Sequence, residues 1–128
     1  MYNKVLVTGG SGFVGKRLKL IEPNWIYMSS KDCDLTNKKQ TRECFNDIKP
    51  DAVVHLAARV GGIKDASQNQ SEFFYLNSMI NLNVVHESYK AGVKRLLSCL
   101  STCVFPDIND KYPMTESDLL KGEPTLTN

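Results

Sequence analysis

The chain has 128 residues, 41% of them hydrophobic and 23% charged, which is ordinary composition for one globular domain able to bury its own core. Sixteen basic against fourteen acidic residues leave a net charge of +2 with no basic stripe, so a nucleic-acid partner is not expected. No apolar run approaches the length of a membrane span and the chain is strand-like by Val5, so neither a membrane partner nor a signal peptide is expected.

Lys4-Val5-Leu6-Val7-Thr8 is a short apolar run that ends in Gly9-Gly10-Ser11-Gly12. The residues from Phe13 to Ile21 then read as a brief helix closed by Pro23. Trp25-Ile26-Tyr27-Met28 is a second apolar run, followed by the polar turn Ser29-Ser30-Lys31-Asp32, and Thr36 is placed to cap the next helix. That helix carries Cys44, Phe45 and Ile48 as apolar contacts and ends at Pro50. Ala52-Val53-Val54-His55-Leu56 forms a third run, and the longest helical pattern extends from about Ser71 to Ala91 with Gly92 as its stop. Leu96-Leu97-Ser98-Cys99-Leu100 is the fourth run; beyond Phe105-Pro106 the chain turns polar, and the stretch from Met114 to Lys121 offers at most a short helix.

Strand and helix alternate throughout, and the runs are apolar without alternation, as in strands buried on both faces. This predicts an α/β fold, a doubly wound parallel sheet of Rossmann type, with residues 1–128 forming one incomplete nucleotide-binding domain. Right-handed crossovers, with winding reversed after the third strand, predict the sheet order 3-2-1-4. The fourth strand would then be left with an uncovered edge, a liability for aggregation.

Gly9-x-x-Gly12-x-x-Gly15 follows a strand and opens a helix, the context that raises a glycine motif above chance. Gly9 permits a tight turn, Gly12 lets backbone approach a pyrophosphate, and Gly15 lets the helix pack close on the strand. An anion would sit at the helix N-terminus. An NAD-specific site usually places Asp or Glu at the end of the second strand, whereas this chain has Ser29, Ser30 and Lys31 there, which suit a 2′-phosphate. NADP (as NADPH) is therefore the expected cofactor, and the nearby Asp32 keeps NAD as the alternative. Cys33, Cys44, Cys99 and Cys103 form no C-x-x-C pair and have no His at ligand spacing, so no metal is expected and a reducing, cytoplasmic location is.

The segments Thr8-Gly9-Gly10-Ser11-Gly12-Phe13-Val14-Gly15, Asp34-Leu35, His55-Leu56-Ala57-Ala58 and the strand leading to Ser101 together resemble the extended short-chain dehydrogenase/reductases. Within that family, Val60-Gly61-Gly62-Ile63, Ser101-Thr102-Cys103-Val104-Phe105-Pro106 and the stretch from Pro113 to Pro124, with Glu116 and Gly122, resemble the GDP-L-fucose synthases. The resemblance implies C3/C5 epimerisation of GDP-4-keto-6-deoxy-D-mannose, NADPH-dependent reduction at C4, and a homodimer acting on a GDP-sugar substrate.

Carried over by position, Gly9, Gly12, Phe13, Val14 and Gly15 would line the pyrophosphate, Asp34 and Leu35 would flank the adenine, and Leu56, Ala57 and Ala58 would pass beside the nicotinamide ribose. Ser101 matches the serine that hydrogen-bonds the ketone, and Cys103 the cysteine proposed as an acid/base of epimerisation. Read without the resemblance, Ser101 is a turn or cap residue and Cys103 is buried packing. His55 and His86 match no catalytic position of the family and are expected to be hydrogen-bonded scaffold.

The family's Tyr-x-x-x-Lys pair has no counterpart here: Glu116, not Lys, stands four residues after Tyr112. The 128 residues alone are thus expected to be inactive. The alternatives are an inactive dinucleotide-binding or assembly module, or another nucleotide-sugar epimerase or dehydratase. In the long helix, Phe73, Leu76, Ile80 and Val84 form one apolar stripe and Met79, Leu82, Val85 and Tyr89 a second, which is expected to meet its twin in a homodimer.

Overall fold

The computed structural model describes residues 2–108 and 111–124, in two compact units, 1–98 and 99–128. In the first unit the elements run β1 (Val5–Thr8), α1 (Phe13–Ile21), β2 (Ile26–Met28), α2 (Lys38–Ile48), β3 (Ala52–His55), α3 (Ile63–Gln68), α4 (Gln70–Lys90) and β4 (Arg95–Ser98). All pairings are parallel, as the uniformly apolar runs predict.

The order, however, is β2-β1-β3-β4 and not 3-2-1-4. Winding reverses one unit earlier than expected, because β3 takes the free edge of β1 instead of extending the sheet past β2. Asp51, just before β3, fixes this pairing: its carboxylate accepts from the amides of Asn3 and Lys4, both at 3.1 Å, and its own amide donates to the Lys4 carbonyl. The chain after β2 turns under the sheet, burying Cys33 and Leu35, and the Asn83 amide of α4 donates to the carbonyls of Leu35 and Thr36.

The reversal decides which face each helix covers. A right-handed crossover from β1 to β2 puts α1 on one face, and the two crossovers running back past β1 put α2 and α4 together on the other. Ile26, Leu6, Val53 and Leu96 stand in one cross-strand row, and this row packs with Met28 against Phe45 of α2 and Val84 of α4. On the opposite face Lys19 of α1 lies over the Tyr27 ring, 5.7 Å from its centre.

Local chemistry sets the boundaries. Asn37, not Thr36, caps α2, its Oδ1 accepting from Lys39 N and Gln40 N; Thr36 instead donates its hydroxyl to Asp34 in an Asx-type turn, so the helix starts one residue later than the Thr36 cap implies. Gly92, at φ +72, carries the chain out of α4. The short α3 has no signature in the sequence, since Ile63–Gln68 shows no helical period and buries no residue. Of the first α4 stripe, Val84 is fully buried and Phe73, Leu76 and Ile80 are half-buried. Leu82, Val85 and Tyr89 of the second stripe stay exposed at 66%, 49% and 84%, so neighbouring elements leave that face open.

The second unit is built from turns. Thr115 and Asp118 form a reciprocal cap on the 3-10 turn Glu116–Asp118, and Lys121 donates to Asp118 at 2.6 Å. Among the described residues no helix is long and apolar enough to cross a membrane.

Candidate functional site

Gly9 and Gly12 lie on the turn between β1 and α1, and Gly15 lies within the first turn of α1 itself, so the expectation that spacing puts all three between strand and helix holds for two. Gly9 has φ +71, and a Cβ there would stand 2.8 Å from Ala57 N and 2.9 Å from the Leu56 carbonyl carbon, so the turn lies directly against the end of β3. A Cβ on Gly15 would come within 2.6 Å of the Gly9 carbonyl oxygen and 2.7 Å of Gly10 backbone, so the helix can reach the strand only with hydrogen at that position. Gly12 differs: its Cβ would meet only the Gly9 oxygen, at 3.1 Å, and otherwise faces open space.

Gly12 is also the N-cap of α1. It brings no side chain to the first-turn amides, and no acidic residue stands in that turn. The amides of Phe13, Val14 and Gly15 have no intrahelical acceptor available, and they carry the positive end of the helix dipole. Phe13 and Val14 beside them are 92% and 56% exposed. Donors at a helix N-terminus that no side chain caps suit an anion, so these residues fit the pyrophosphate of a dinucleotide.

At the end of β2 the groups are already partly engaged. The Asp32 carboxylate accepts from the Ser29 amide at 2.8 Å and the Ser29 hydroxyl at 2.6 Å, and these bonds hold its carboxyl below the usual carboxylate range. Ser29 therefore spends its hydroxyl on Asp32, leaving Ser30 and Lys31 exposed as the groups that could face a phosphate. Asp34 accepts from the amide and hydroxyl of Thr36, while the side chain of Leu35 belongs to the core.

At the end of β3, Thr8 and His55 are buried and joined, Thr8 Oγ1 to His55 Nδ1 at 2.6 Å, and His55 Nε2 meets Asn81 Oδ1 at 3.0 Å. Burial lowers the His55 pKa, opposed by the Asn81 bond, so the ring is a neutral scaffold group, as expected of it. Beyond Leu56, Ala57 and Ala58, the loop is held by residues that the spacing of the sequence did not single out. Arg59 donates to Asp65 at 3.0 Å and stacks on Phe73, 4.5 Å from its centre, while Asn77 bonds both the amide and the carbonyl of Arg59. A Cβ on Gly61 would collide with the Asp65 carboxylate, which explains a glycine there.

In the second unit, Ser101 caps a 3-10 turn at Thr102–Val104, its Oγ accepting from Cys103 N at 3.2 Å. Both side chains are exposed, so Cys103 is not the buried packing residue that its apolar neighbours suggest. Cys33 has the opposite character: burial first, then the adjoining Cys44 thiol, pushes its pKa up to about 12, leaving it an inert core group.

The sequence pattern of the NAD dependent epimerase/dehydratase family matches residues 5–128. The chain is 42% identical over 132 residues to a probable GDP-L-fucose synthase of Drosophila melanogaster, covering 98% of this chain and 41% of that protein. It is 44% identical over 131 residues to the GDP-L-fucose synthase of Dictyostelium discoideum, covering 97% of this chain and 41% of that one. Its fold matches a GDP-L-fucose synthetase from Naegleria fowleri bound to NADP, with TM-score 0.83 and 39% identity over 94% of this chain and 38% of the other. The chain thus spans about two fifths of the length of the curated relatives it matches.

Proposed function

This chain belongs to the NAD dependent epimerase/dehydratase family, and from that premise we propose that it is the N-terminal, cofactor-binding part of a GDP-L-fucose synthase. The whole enzyme would convert GDP-4-keto-6-deoxy-D-mannose to GDP-L-fucose by C3/C5 epimerisation and C4 reduction. The observation that carries this reading is the open set of donors at Gly12–Gly15, at the end of a turn whose Gly9 lies against the Leu56–Ala57 backbone, in a chain whose relatives carry that name.

When bound, NADPH supplies the hydride for C4. The chain's own residues bind and orient it: Gly9, Gly12, Phe13, Val14 and Gly15 take the pyrophosphate, Ser30 and Lys31 face the 2′-phosphate, and Asp34 with Leu35 backbone flanks the adenine. Ser101 holds the ketone oxygen by a hydrogen bond, and Cys103 exchanges a proton at C3 or C5, a step that polarisation of the ketone makes feasible. The Ser29–Asp32 bond weighs in the choice of cofactor, because a carboxylate turned onto Ser29 leaves Lys31 as the charge that meets the ribose. NADPH should therefore bind the whole enzyme more tightly than NADH, and Lys31→Asp should shift preference toward NADH. Equal or tighter NADH binding by the unaltered enzyme, measured by fluorescence titration, would contradict this.

Assembly is part of the same reading. The exposed Leu82, Val85 and Tyr89 face of α4 supports a homodimer in which it packs on its twin. Sedimentation of the full-length protein should give a dimer, and Leu82→Glu with Val85→Glu should give a monomer; a monomeric unaltered enzyme would sink the claim. Four free thiols suit the reducing cytoplasm we assign to it.

A further inference from the structure

We propose that Thr8, backed by His55 and Asn81, is a positioning residue for the nicotinamide half of the cofactor, acting through the backbone amide of Ala57. The inference rests on the cofactor reading above and deepens it.

Hydrogen-bond donation in this buried chain has one direction. Asn81 Oδ1 can only accept, so His55 Nε2 carries the ring proton and Nδ1, the unprotonated nitrogen, accepts the Thr8 hydroxyl proton at 2.6 Å. Thr8 Oγ1, its proton committed, offers a lone pair inward to the Ala57 amide, which donates to it at 3.4 Å. Thr8 is fully buried and His55 is 3% exposed, so water cannot take the place of either, while Asn81 closes the relay at its exposed end. The Leu56–Ala57 peptide is planar and trans, and tying its N–H to Thr8 fixes the opposite direction for the Leu56 carbonyl.

The location gives this order a purpose. In the observed sheet, β2 lies on one side of β1 and β3 on the other, so the crevice where winding reverses opens between β1 and β3. A dinucleotide crosses such a crevice, with its pyrophosphate on the first helix and its adenosine ribose at the end of the second strand. The remaining half must then lie over the end of β3, at Leu56–Ala58, where Gly9 already presses against Leu56 and Ala57. A backbone segment fixed by a one-way relay presents fixed polar groups there, whereas a segment without it can rotate.

The test uses the full-length protein and two ligands: NADPH, which reports both halves, and 2′,5′-ADP, which reports only the adenosine half. Thr8→Val keeps the side-chain shape and removes the hydroxyl. It should weaken NADPH about tenfold and change the fluorescence of the bound nicotinamide, with 2′,5′-ADP affinity held within about twofold. Thr8→Ser restores the hydroxyl and should return NADPH affinity to within about twofold of the unaltered protein. Asn81→Ala, which is at the exposed end of the relay, should weaken NADPH about threefold with 2′,5′-ADP unchanged, and it serves if Thr8→Val does not fold. The proposal is overturned if a folded Thr8→Val binds NADPH like the unaltered protein, if both ligands weaken equally, or if Asn81→Ala leaves NADPH untouched. An unaltered protein that binds neither ligand overturns the cofactor reading along with it, which separates the two failures.

Discussion

Gly12→Val in the full-length enzyme should reduce NADPH affinity at least about a hundredfold while leaving the thermal unfolding of the protein nearly unchanged. A hundredfold corresponds to about 2.7 kcal/mol, less than the loss expected when a branched side chain stands where phosphate oxygens must meet backbone amides. The fold should survive because an added Cβ meets one atom, the Gly9 carbonyl oxygen at 3.1 Å, which has to give by only a few tenths of an ångström. Gly15→Val makes the contrast. There the Cβ would lie 2.6–2.7 Å from three backbone atoms of Gly9 and Gly10, none of which can step aside without moving the turn, so overpacking should cost on the order of 3 kcal/mol in stability. Calorimetry and cofactor titration on the two variants separate a glycine needed by the ligand from one needed by the fold. Equal unfolding temperatures for both, or unaltered NADPH binding by Gly12→Val, would contradict this division.

The second large effect concerns the chemistry. Ser101→Ala should lower both epimerisation and reduction by about 10²–10⁴-fold, because both draw on the same polarised ketone. Cys103→Ser should remove solvent deuterium uptake at C3 and C5 by a comparable factor while sparing hydride transfer to a substrate already epimerised. The two positions sit on one turn, joined by the Ser101 Oγ bond to Cys103 N, so alanine at 101 also withdraws the cap of that turn. Asparagine at 101 separates the roles, since it retains a cap acceptor and its amide can still donate to the ketone. Cys103→Ser with full deuterium uptake would assign the proton transfers elsewhere.

Much of this architecture was legible in the residues. The helix over Phe13–Ile21 begins and ends where Gly12 and Pro23 place it, and the long helix stops at Gly92 because only that residue accepts the left-handed turn without strain. What periodicity could not supply was which edge of β1 the third strand would take. That choice lies in Asp51, whose carboxylate holds the amides of Asn3 and Lys4, and in Asn83, whose amide holds the chain after β2; both are long-range contacts with no local pattern. The cap of α2 lies one residue beyond Thr36 because Thr36 and Asn37 are both good caps and Asp34 claims the Thr36 hydroxyl.

The site divides in the same way. The glycines announce themselves by spacing: at Gly9 and Gly15 backbone stands where a Cβ would be, while Gly12 leaves the helix N-terminus open. Arg59, Asp65, Asn77 and Asn81 did not, because polar residues at irregular spacing on a loop and a helix look like solvated surface until the fold brings them together. The Ser29–Asp32 bond shows a finer limit: composition marks the loop as suited to a phosphate, but only geometry shows that one of its hydroxyls is already engaged.

The most direct test is the product that the full-length enzyme forms from GDP-4-keto-6-deoxy-D-mannose and NADPH, identified by proton NMR after the absorbance of NADPH has fallen. The expected product is GDP-L-fucose, with deuterium at C3 and C5 when the reaction is run in heavy water. A GDP-6-deoxyhexose of unchanged C3 and C5 configuration, carrying no deuterium there, would contradict it and mark the enzyme as a simple C4 reductase.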